Sequence, residues 1–292
     1  MNQFSIKDVE ALTGIKPHTL RIWEQRYDLL KPKRTATNIR YYDDADLKSL
    51  LNISLLNTHG IKISKIAKLS QKEIDEIILE FSTNKEDYSF QVHALIGYML
   101  SLDDARFEQV LRNNFTTHGV VKTMEELIWP FLAHIGVLWL SGAVNPAYEH
   151  LITNIICAKL IVATDQLGYN RKTNLPQKKY LLFLPEGETH DIGLLFANYY
   201  FRSVGHHTLF LGQNLPVEEL DVICKTYQPD YIFTSITAAL NPKKLKQFFE
   251  TLSSSAFHWP VLFTGRLAND PNIKMPKNFN VIRKTSDLDA FI

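Results

Sequence analysis

After residue 178, short apolar segments rich in strand-forming residues alternate with amphipathic helical segments, and this alternation constrains the fold more than any other feature of the sequence. The predicted strands are YLLFLP (180–185), HTLFLG (207–212), YIFTSI (231–236), PVLFTG (260–265) and FNVIRK (279–284). Helices are predicted near 190–203, 216–227 and 242–254. Strands that alternate with helices of this length form a parallel sheet. The sequence therefore predicts a doubly wound α/β fold over residues 176–292.

A doubly wound sheet also predicts where a ligand binds. Ligands of such sheets lie beyond the carboxyl ends of the strands. The loops at that edge are expected at 186–191, 212–216, 235–242 and 265–270. The first of them contains the sequence PEGETHDIG, which places Glu188, His190 and Gly193 at the candidate site.

From about residue 71 to residue 170 the sequence shows only helical periodicity. The predicted helices lie near 71–82, 89–101, 103–114, 118–138 and 146–168. Pro130 has no backbone N–H and should kink the fourth of them. We therefore predict a helical bundle, which a polar linker at 168–179 joins to the sheet.

The first 70 residues carry the basic charge, with twelve Lys or Arg against seven Asp or Glu, although the whole chain has a net charge of +1. Two short helices, near 5–12 and 17–26, are predicted on either side of a turn at Gly14. The basic segment KPKRTATNIRYY (31–42) predicts a hairpin, and a third helix begins at Asp43-Asp44. Trp23 has apolar neighbours at helical spacing and is assigned to the core.

The run SIKDVEALTGIKPHTLRIWEQRYDLLKPKR, followed by NIRYYDDADL, resembles the N-terminal winged helix-turn-helix of MerR-family regulators. The resemblance implies that the second helix enters the major groove of double-stranded DNA and that the hairpin, or wing, reaches the backbone or minor groove. It implies contacts from Lys16, His18, Thr19, Arg21, Lys33, Arg34, Asn38, Arg40 and Tyr41. MerR-type proteins normally dimerise, which implies an inverted-repeat operator with half-sites about 34 Å apart.

The charge pattern supports a nucleic-acid partner without the family name, because exposed Lys and Arg neutralise phosphates and release counterions. The alternative that charge alone leaves open is a solvated basic face on a winged helix that binds a protein.

The E-x-H-x-x-G pattern of Glu188, His190 and Gly193 resembles the D-x-H-x-x-G signature of cobalamin-binding domains, with Glu in place of Asp. The resemblance implies that His190 ligates the cobalt of cobalamin from below. A ligating imidazole needs an acceptor on its other nitrogen to fix its tautomer, and Glu188 is the candidate. Gly193 has no β-carbon and lets the loop approach a bulky ligand.

Two later elements have spacings that resemble the same family. Ser235 and Thr237 stand at its S-x-L element, and Gly265 stands at the first position of its G-G element. Thr237 replaces the Leu, and Arg266 replaces the second glycine, which predicts weaker binding of the nucleotide tail. The charge of Arg266 could instead meet the cofactor phosphate.

Trp139 precedes Glu149 by ten positions, and His150 follows directly, a spacing similar to the W-x9-E-H element of cobalamin-dependent, light-responsive repressors of carotenoid synthesis. The resemblance implies that the helical bundle caps the upper face of adenosylcobalamin with these residues. Leu140 stands where those relatives carry a His that ligates cobalt after photolysis. The alternative for Trp139 is core packing at a helix end.

Together these features predict a cytoplasmic regulator with a winged helix-turn-helix at 1–75, a helical cap at 76–175 and a Rossmann-like or flavodoxin-like cobalamin-binding domain at 176–292. We expect a repressor, a dimer or tetramer, whose self-association and operator affinity depend on cobalamin, with occupancy or light as the signal. The alternative is a cofactor-independent regulator whose degenerate B12-like domain binds a protein antagonist or another small ligand.

An enzyme is not expected, because a cobalamin-dependent enzyme needs a substrate domain, usually a barrel of roughly 250 residues, and none fits beside the three units. A membrane protein is not expected either, since no stretch reaches the roughly 18 uncharged apolar residues that a membrane span needs.

Overall fold

The computed structural model describes residues 3–35, 37–82, 88–141, 144–168, 176–238, 241–254 and 257–292. The chain divides into two compact units, Met1–Ile155 and Ile156–Ile292. The finer division into three domains stays a prediction from the sequence.

The first unit begins with two helices and a small hairpin, as the sequence predicts. Their bounds are α1 (Ile6–Thr13), α2 (Pro17–Tyr27), β1 (Lys33–Arg34), β2 (Arg40–Tyr41), α3 (Asp44–Thr58) and α4 (Ile63–Ile66). Ser5 and Asp8 form a capping box that starts α1, and Gly14, with φ 69°, ends it. Pro17 occupies the first position of α2, where its missing N–H costs no helical hydrogen bond.

Apolar residues from these helices share one core. Phe4 pairs with Tyr42 through two backbone hydrogen bonds of 2.8 and 2.9 Å, and both side chains are fully buried. Trp23 packs against a cluster that includes Leu56 and Phe90. The assignment of Trp23 to the core is therefore confirmed.

Helices are the only regular elements among the described residues from 71 to 166. They are α5 (Gln71–Ser82), α6 (Tyr88–Leu100), α7 (Asp104–His118), α8 (Val120–Thr123), α9 (Trp129–Ser141) and α10 (Pro146–Gln166). The single helix predicted at 118–138 is instead interrupted, because a π-helical turn, Met124–Ile128, separates α8 from α9. Pro130 lies just after that turn, in the first turn of α9, and the kink expected there stays a prediction.

The second unit contains a five-stranded parallel sheet with the order β4-β3-β5-β6-β7. Its elements are β3 (Lys179–Pro185), α11 (Ile192–Ser203), β4 (His207–Leu215), α12 (Leu220–Tyr227), β5 (Tyr231–Ser235), α13 (Pro242–Leu252), β6 (Val261–Thr264) and β7 (Phe279–Val281). This order places the topological switch point between β3 and β5.

Strand β4 continues to Leu215, so most of the loop expected at 212–216 belongs to the strand. The pairing of β3 with β4 shifts register between Leu182 and Phe183, where Gly212 faces Phe183 with φ 82°. Such an irregularity lengthens one strand relative to its neighbour. Short 3₁₀ turns at Val217–Glu219, Arg266–Asn269 and Thr285–Phe291 were not predicted.

The two cysteines are free thiols. Cys224 is buried, and half-buried Cys157 donates to the Asp191 carboxylate at 3.2 Å. Over the described ranges, no helix combines the length and apolar character that a bilayer crossing requires.

Asp43 is the N-cap of α3, and its substitution measures how much this cap contributes to stability. Its carboxylate accepts from the Asp46 N–H at 3.0 Å and pairs with the Lys33 ammonium. Burial would raise the pKa of Asp43, but the Lys33 ammonium and the Asp46 N–H hold this pKa below its usual value. The stabilisation from its charge is therefore present at neutral pH and is lost as the pH falls below about 4.

We predict that Asp43→Ala lowers the free energy of unfolding by about 1–2 kcal/mol, as expected for loss of an N-cap. Asp43→Asn keeps a good cap without the charge and should recover most of this loss. Urea denaturation of the full chain at pH 7 measures both variants. Equal stability of Asp43→Ala and the unchanged chain would contradict the assigned role.

Candidate functional site

Glu188 lies at the switch point, in the loop between β3 and α11, and its side chain is completely buried. Its Oε1 accepts the backbone N–H of Thr189 at 2.9 Å and of His190 at 2.8 Å. The same oxygen lies 2.6 Å from Nδ1 of the His190 ring.

The other carboxylate oxygen of Glu188 binds the neighbouring loop. Oε2 accepts the backbone N–H of Thr237 at 2.6 Å and of Ala238 at 2.7 Å. One buried side chain therefore fastens the loop after β3 to the loop after β5.

The hydrogen bonds keep Glu188 ionised despite its burial. Burial alone would raise the pKa of Glu188, but the His190 ring and the backbone N–H groups of Ala238, His190 and Thr237 lower this pKa to about 2. An ionised carboxylate accepts only, so Nδ1 of His190 carries the proton and donates. In the neutral ring Nε2 is then the nitrogen with a lone pair, and the side chain is 46% exposed.

Two of the glycines predicted to bind the cofactor lie near one hydroxyl, that of Ser235. A β-carbon built on Gly193 would lie 4.0 Å from Ser235 Oγ, and one built on Gly265 would lie 2.7 Å from it. The structure thus brings together the start of α11 and the ends of β5 and β6. Within the chain itself Gly193 has room for a β-carbon, and Gly265 is the glycine that the close approach of the two loops requires.

Gly265 has φ 95° and ψ −173°, a region that only glycine adopts readily. A β-carbon there would lie 2.5 Å from the carbonyl oxygen of Ile236. The Leu267 N–H donates to that same oxygen at 3.1 Å, so the backbones of the two loops are in direct contact.

Arg266 does not fill the space between these loops. Its side chain is exposed, and its Nε donates to the carbonyl oxygen of Thr237 at 3.0 Å. The guanidinium therefore lies beside the loop that Glu188 fastens.

The residues predicted to cap the upper face of a cofactor lie in the first unit. Trp139 belongs to α9, and its side chain and that of Leu140 lie outside the described residues. Glu149 and His150 lie in the first turns of α10, half-buried and exposed respectively. The role of this group stays a prediction.

The predicted DNA-binding residues of α2 lie at its exposed surface. His18 and Arg21 are exposed, and Thr19 is half-exposed with its hydroxyl 3.3 Å from His18 Nε2. Lys16 precedes the helix and pairs with Glu10 at 2.9 Å.

The wing residues differ in the way they are held. Arg34 is exposed and donates to the Asn38 side chain at 2.8 Å, which closes the turn at the tip. Lys33 pairs with Asp43 and with Asp46, at 3.4 Å from the latter. Lys33, like Lys16, is thus one of the predicted DNA-binding residues that form an ion pair within the protein.

Arg40 and Tyr41 lie in the second strand of the wing and are both half-buried. Arg40 Nε lies 3.9 Å from the Glu24 carboxylate, which also accepts the Tyr42 hydroxyl at 2.8 Å. Arg40 is thus engaged by an internal ion pair, as Lys33 is.

Sequence reasoning missed two kinds of contributor. Glu24, whose side chain is 7% exposed, binds both Arg40 and Tyr42, and its position beside Trp23 was the only signal in the sequence. Ala238 contributes a backbone N–H, for which no sequence signal exists. Across the described ranges no group of three or more metal-binding side chains is present, and a cobalt site with a single protein ligand does not need one.

The donor set fits the lower face of a corrinoid. A single half-exposed imidazole has its other nitrogen bound by a carboxylate, as metal-ligating histidines have. Gly265, at the same edge of the sheet, packs directly against the Ile236 carbonyl oxygen and the Ser235 hydroxyl, and so holds the loops after β5 and β6 together.

Two segments of the chain match known protein families. Residues 4–73 match the MerR HTH family regulatory protein model, and residues 91–163, within α6 to α10, match the B12 binding domain model. The chain is 28% identical over 258 residues to the HTH-type transcriptional repressor CarH of Myxococcus xanthus, covering 86% of this chain and 83% of that protein. It is 26% identical over 264 residues to the repressor CarA of the same organism, covering 89% and 85%.

The fold is similar to that of the Methanosarcina barkeri monomethylamine corrinoid protein, with a TM-score of 0.50, 12% identity, and coverage of 68% of this chain and 95% of that one. At this identity the likeness shows the fold alone. Helix-turn-helix, helical middle and parallel α/β sheet are thus as predicted. The relatives matched over most of their length are repressors, which agrees with the expectation of a regulator and not an enzyme.

We predict that Gly265→Ala destabilises the chain by about 1–3 kcal/mol, because alanine strains this backbone region and its methyl group meets the Ile236 carbonyl. Gly193→Ala is the matched control and should leave stability within about 0.5 kcal/mol. Thermal unfolding followed by circular dichroism compares the two. A similar loss of stability in both variants would show that the requirement for glycine is not specific to position 265.

We predict that Glu188→Gln lowers the free energy of unfolding by about 3 kcal/mol at pH 7, because an amide nitrogen would face backbone donors. Since the pKa is lowered from 4.5 to about 2, the stabilisation from the charge is complete above pH 4.5 and is lost as the pH falls toward 2. The stability difference from Glu188→Gln should shrink over that range. Glu186→Gln, at the exposed carboxylate that pairs with Lys244, should differ little from the unchanged chain.

Proposed function

We propose that this chain is a transcriptional repressor whose affinity for its operator is controlled by cobalamin. In it a MerR-type helix-turn-helix precedes a B12-binding domain. The observation that carries the proposal is the Glu188–His190 pair at the switch point of the sheet. It lies in a chain whose first 73 residues supply a DNA-binding unit.

The DNA part of the proposal rests on the exposed surface of α2 and the tip of the wing. Arg21 and Arg34 are exposed and can neutralise phosphates, and His18 and Thr19, on the same helix as Arg21, would read base edges. Ile22 is 50% exposed on the same helix and offers an apolar contact to a thymine methyl group. We expect a two-fold assembly on an inverted repeat with half-sites about one helical turn apart.

The cofactor part assigns each group a position relative to cobalamin. His190 would ligate cobalt from below, Glu188 would hold the ring, and Ser235, Thr237, Gly193 and Gly265 would receive the tail. Trp139, Glu149 and His150 would cover the upper face, which favours adenosylcobalamin. When bound, that cofactor supplies a cobalt–carbon bond that light can break. Leu140 has no metal-binding atom, so a second axial ligand from that position is not expected.

Self-association of the chain is the proposed link between cofactor binding and DNA binding. A dimer or tetramer presents several DNA-binding units, and their combined avidity is lost when the copies separate. We propose that cofactor occupancy, or light acting on the cofactor, shifts this equilibrium. The resulting regulator is expected in the cytoplasm.

The experiment combines absorbance, molar mass and operator binding. The purified full chain is mixed with adenosylcobalamin and measured in darkness and after illumination. Ligation by His190 shifts the cobalt spectrum, and the mass and operator affinity should change with the cofactor. An unchanged spectrum would favour a regulator whose sensor domain binds a protein antagonist or another small ligand.

We predict that His190→Ala weakens adenosylcobalamin binding by at least about tenfold and removes the spectral shift. It should leave the cofactor-free affinity for the operator unchanged, because the DNA contacts lie in the other unit. His207→Ala, at the opposite end of the same sheet, is the matched control and should bind like the unchanged chain. Arg21→Ala should show the reverse pattern, with weaker operator binding, a shallower salt dependence and normal cofactor binding.

A further inference from the structure

Arg266 is a fixed cation at the edge of the candidate tail site. Its Nε donates to the Thr237 carbonyl oxygen at 3.0 Å, while its side chain remains exposed. Within the described part of the chain no carboxylate lies within ion-pair distance of it. The carboxylates of Glu186 and Glu188, in the loop after β3, already have partners, since Glu186 pairs with Lys244 and Glu188 accepts from five N–H groups.

The backbone around Arg266 limits where its side chain can be. Gly265 contacts Ile236 so closely that no β-carbon fits, and the Leu267 N–H donates to the Ile236 carbonyl oxygen. Residue 266 is therefore held at the junction of the loops after β5 and β6. The Nε tether reduces the rotamer freedom of the long side chain, so less entropy is lost when its remaining donors bind a ligand.

The remaining donors have the geometry of an anion site. With Nε engaged, the two terminal amino groups of the guanidinium form a planar fork, which matches the oxygens of a phosphate. Glycine at this position would offer only close backbone approach, and lysine would offer a point charge without the fork.

We propose that Arg266 binds the phosphodiester of the nucleotide tail, and that this contact makes the site select complete cobalamins over corrinoids without the phosphate. The inference rests on the proposed function, because it concerns the same cofactor site. Under this proposal, Arg266 in place of the second glycine does not weaken binding of the tail. It changes the group that recognises the tail.

Three corrinoids distinguish the contribution of the phosphate to binding from that of the rest of the tail. Adenosylcobinamide lacks the phosphate, adenosylcobinamide phosphate carries it without the base, and adenosylcobalamin carries the whole tail. Dissociation constants are measured by absorbance titration of the full chain in darkness. We expect the unchanged chain to bind adenosylcobinamide phosphate about tenfold more tightly than adenosylcobinamide, the usual size of one charge-assisted hydrogen-bonded contact.

Arg266→Ala should bring that ratio to about one without changing the affinity for adenosylcobinamide, and Arg266→Lys should keep a ratio of only about two to four. Lys225→Ala, which removes an exposed cation that pairs with Asp221 on α12, is the matched control and should keep the tenfold ratio. Thermal unfolding of each variant confirms that the fold is retained.

The inference is overturned if the unchanged chain binds both cobinamides equally, or if Arg266→Ala keeps the preference for the phosphate. Binding of adenosylcobinamide with a shifted cobalt spectrum, but without preference for the phosphate, would leave the proposed function standing and refute only the role of Arg266. If none of the three corrinoids binds the unchanged chain, the proposed function and the inference both fail.

Discussion

The buried carboxylate of Glu188 and its five N–H donors hold the candidate site together. Three of these donors come from its own loop and two from the loop after β5. A buried charge without such donors is costly, so the loops and the charge stabilise each other. The same charge orients the His190 ring, which means that the orientation of the ring, its tautomer and the position of the loops are set by one group.

Electrostatics also divides the basic residues at the other end of the chain into two groups. Lys33 and Arg40 face carboxylates of their own domain, where they help to fix the wing against α2 and α3. Arg21 and Arg34 extend from the exposed surface of α2 and the wing. A wing held by internal ion pairs has its shape before DNA is bound, so less conformational freedom is lost on binding.

Local sequence patterns predicted the elements well where local forces decide them. The helix predicted at 71–82 is present as Gln71–Ser82, and all five strands of the sheet were identified. Helical periodicity did not predict the π-helical turn at Met124–Ile128, because a single extra residue in a turn leaves the apolar pattern nearly intact. The extension of β4 to Leu215 was also missed, because pairing with β3 through an irregular register, and not strand propensity, sustains it.

The sequence by itself determined the order of helices and strands, the segregation of basic charge in the first 70 residues, and the spacing of two that puts Glu188 beside His190. Only the tertiary structure decided that the Glu188 carboxylate also binds Thr237 and Ala238, 49 and 50 residues further along. It likewise decided that Arg266 reaches Thr237, 29 residues before it. The physical reason is the strand order, because parallel pairing of β3, β5 and β6 brings three distant loops to one edge, and contacts between backbone groups leave no trace in side-chain patterns.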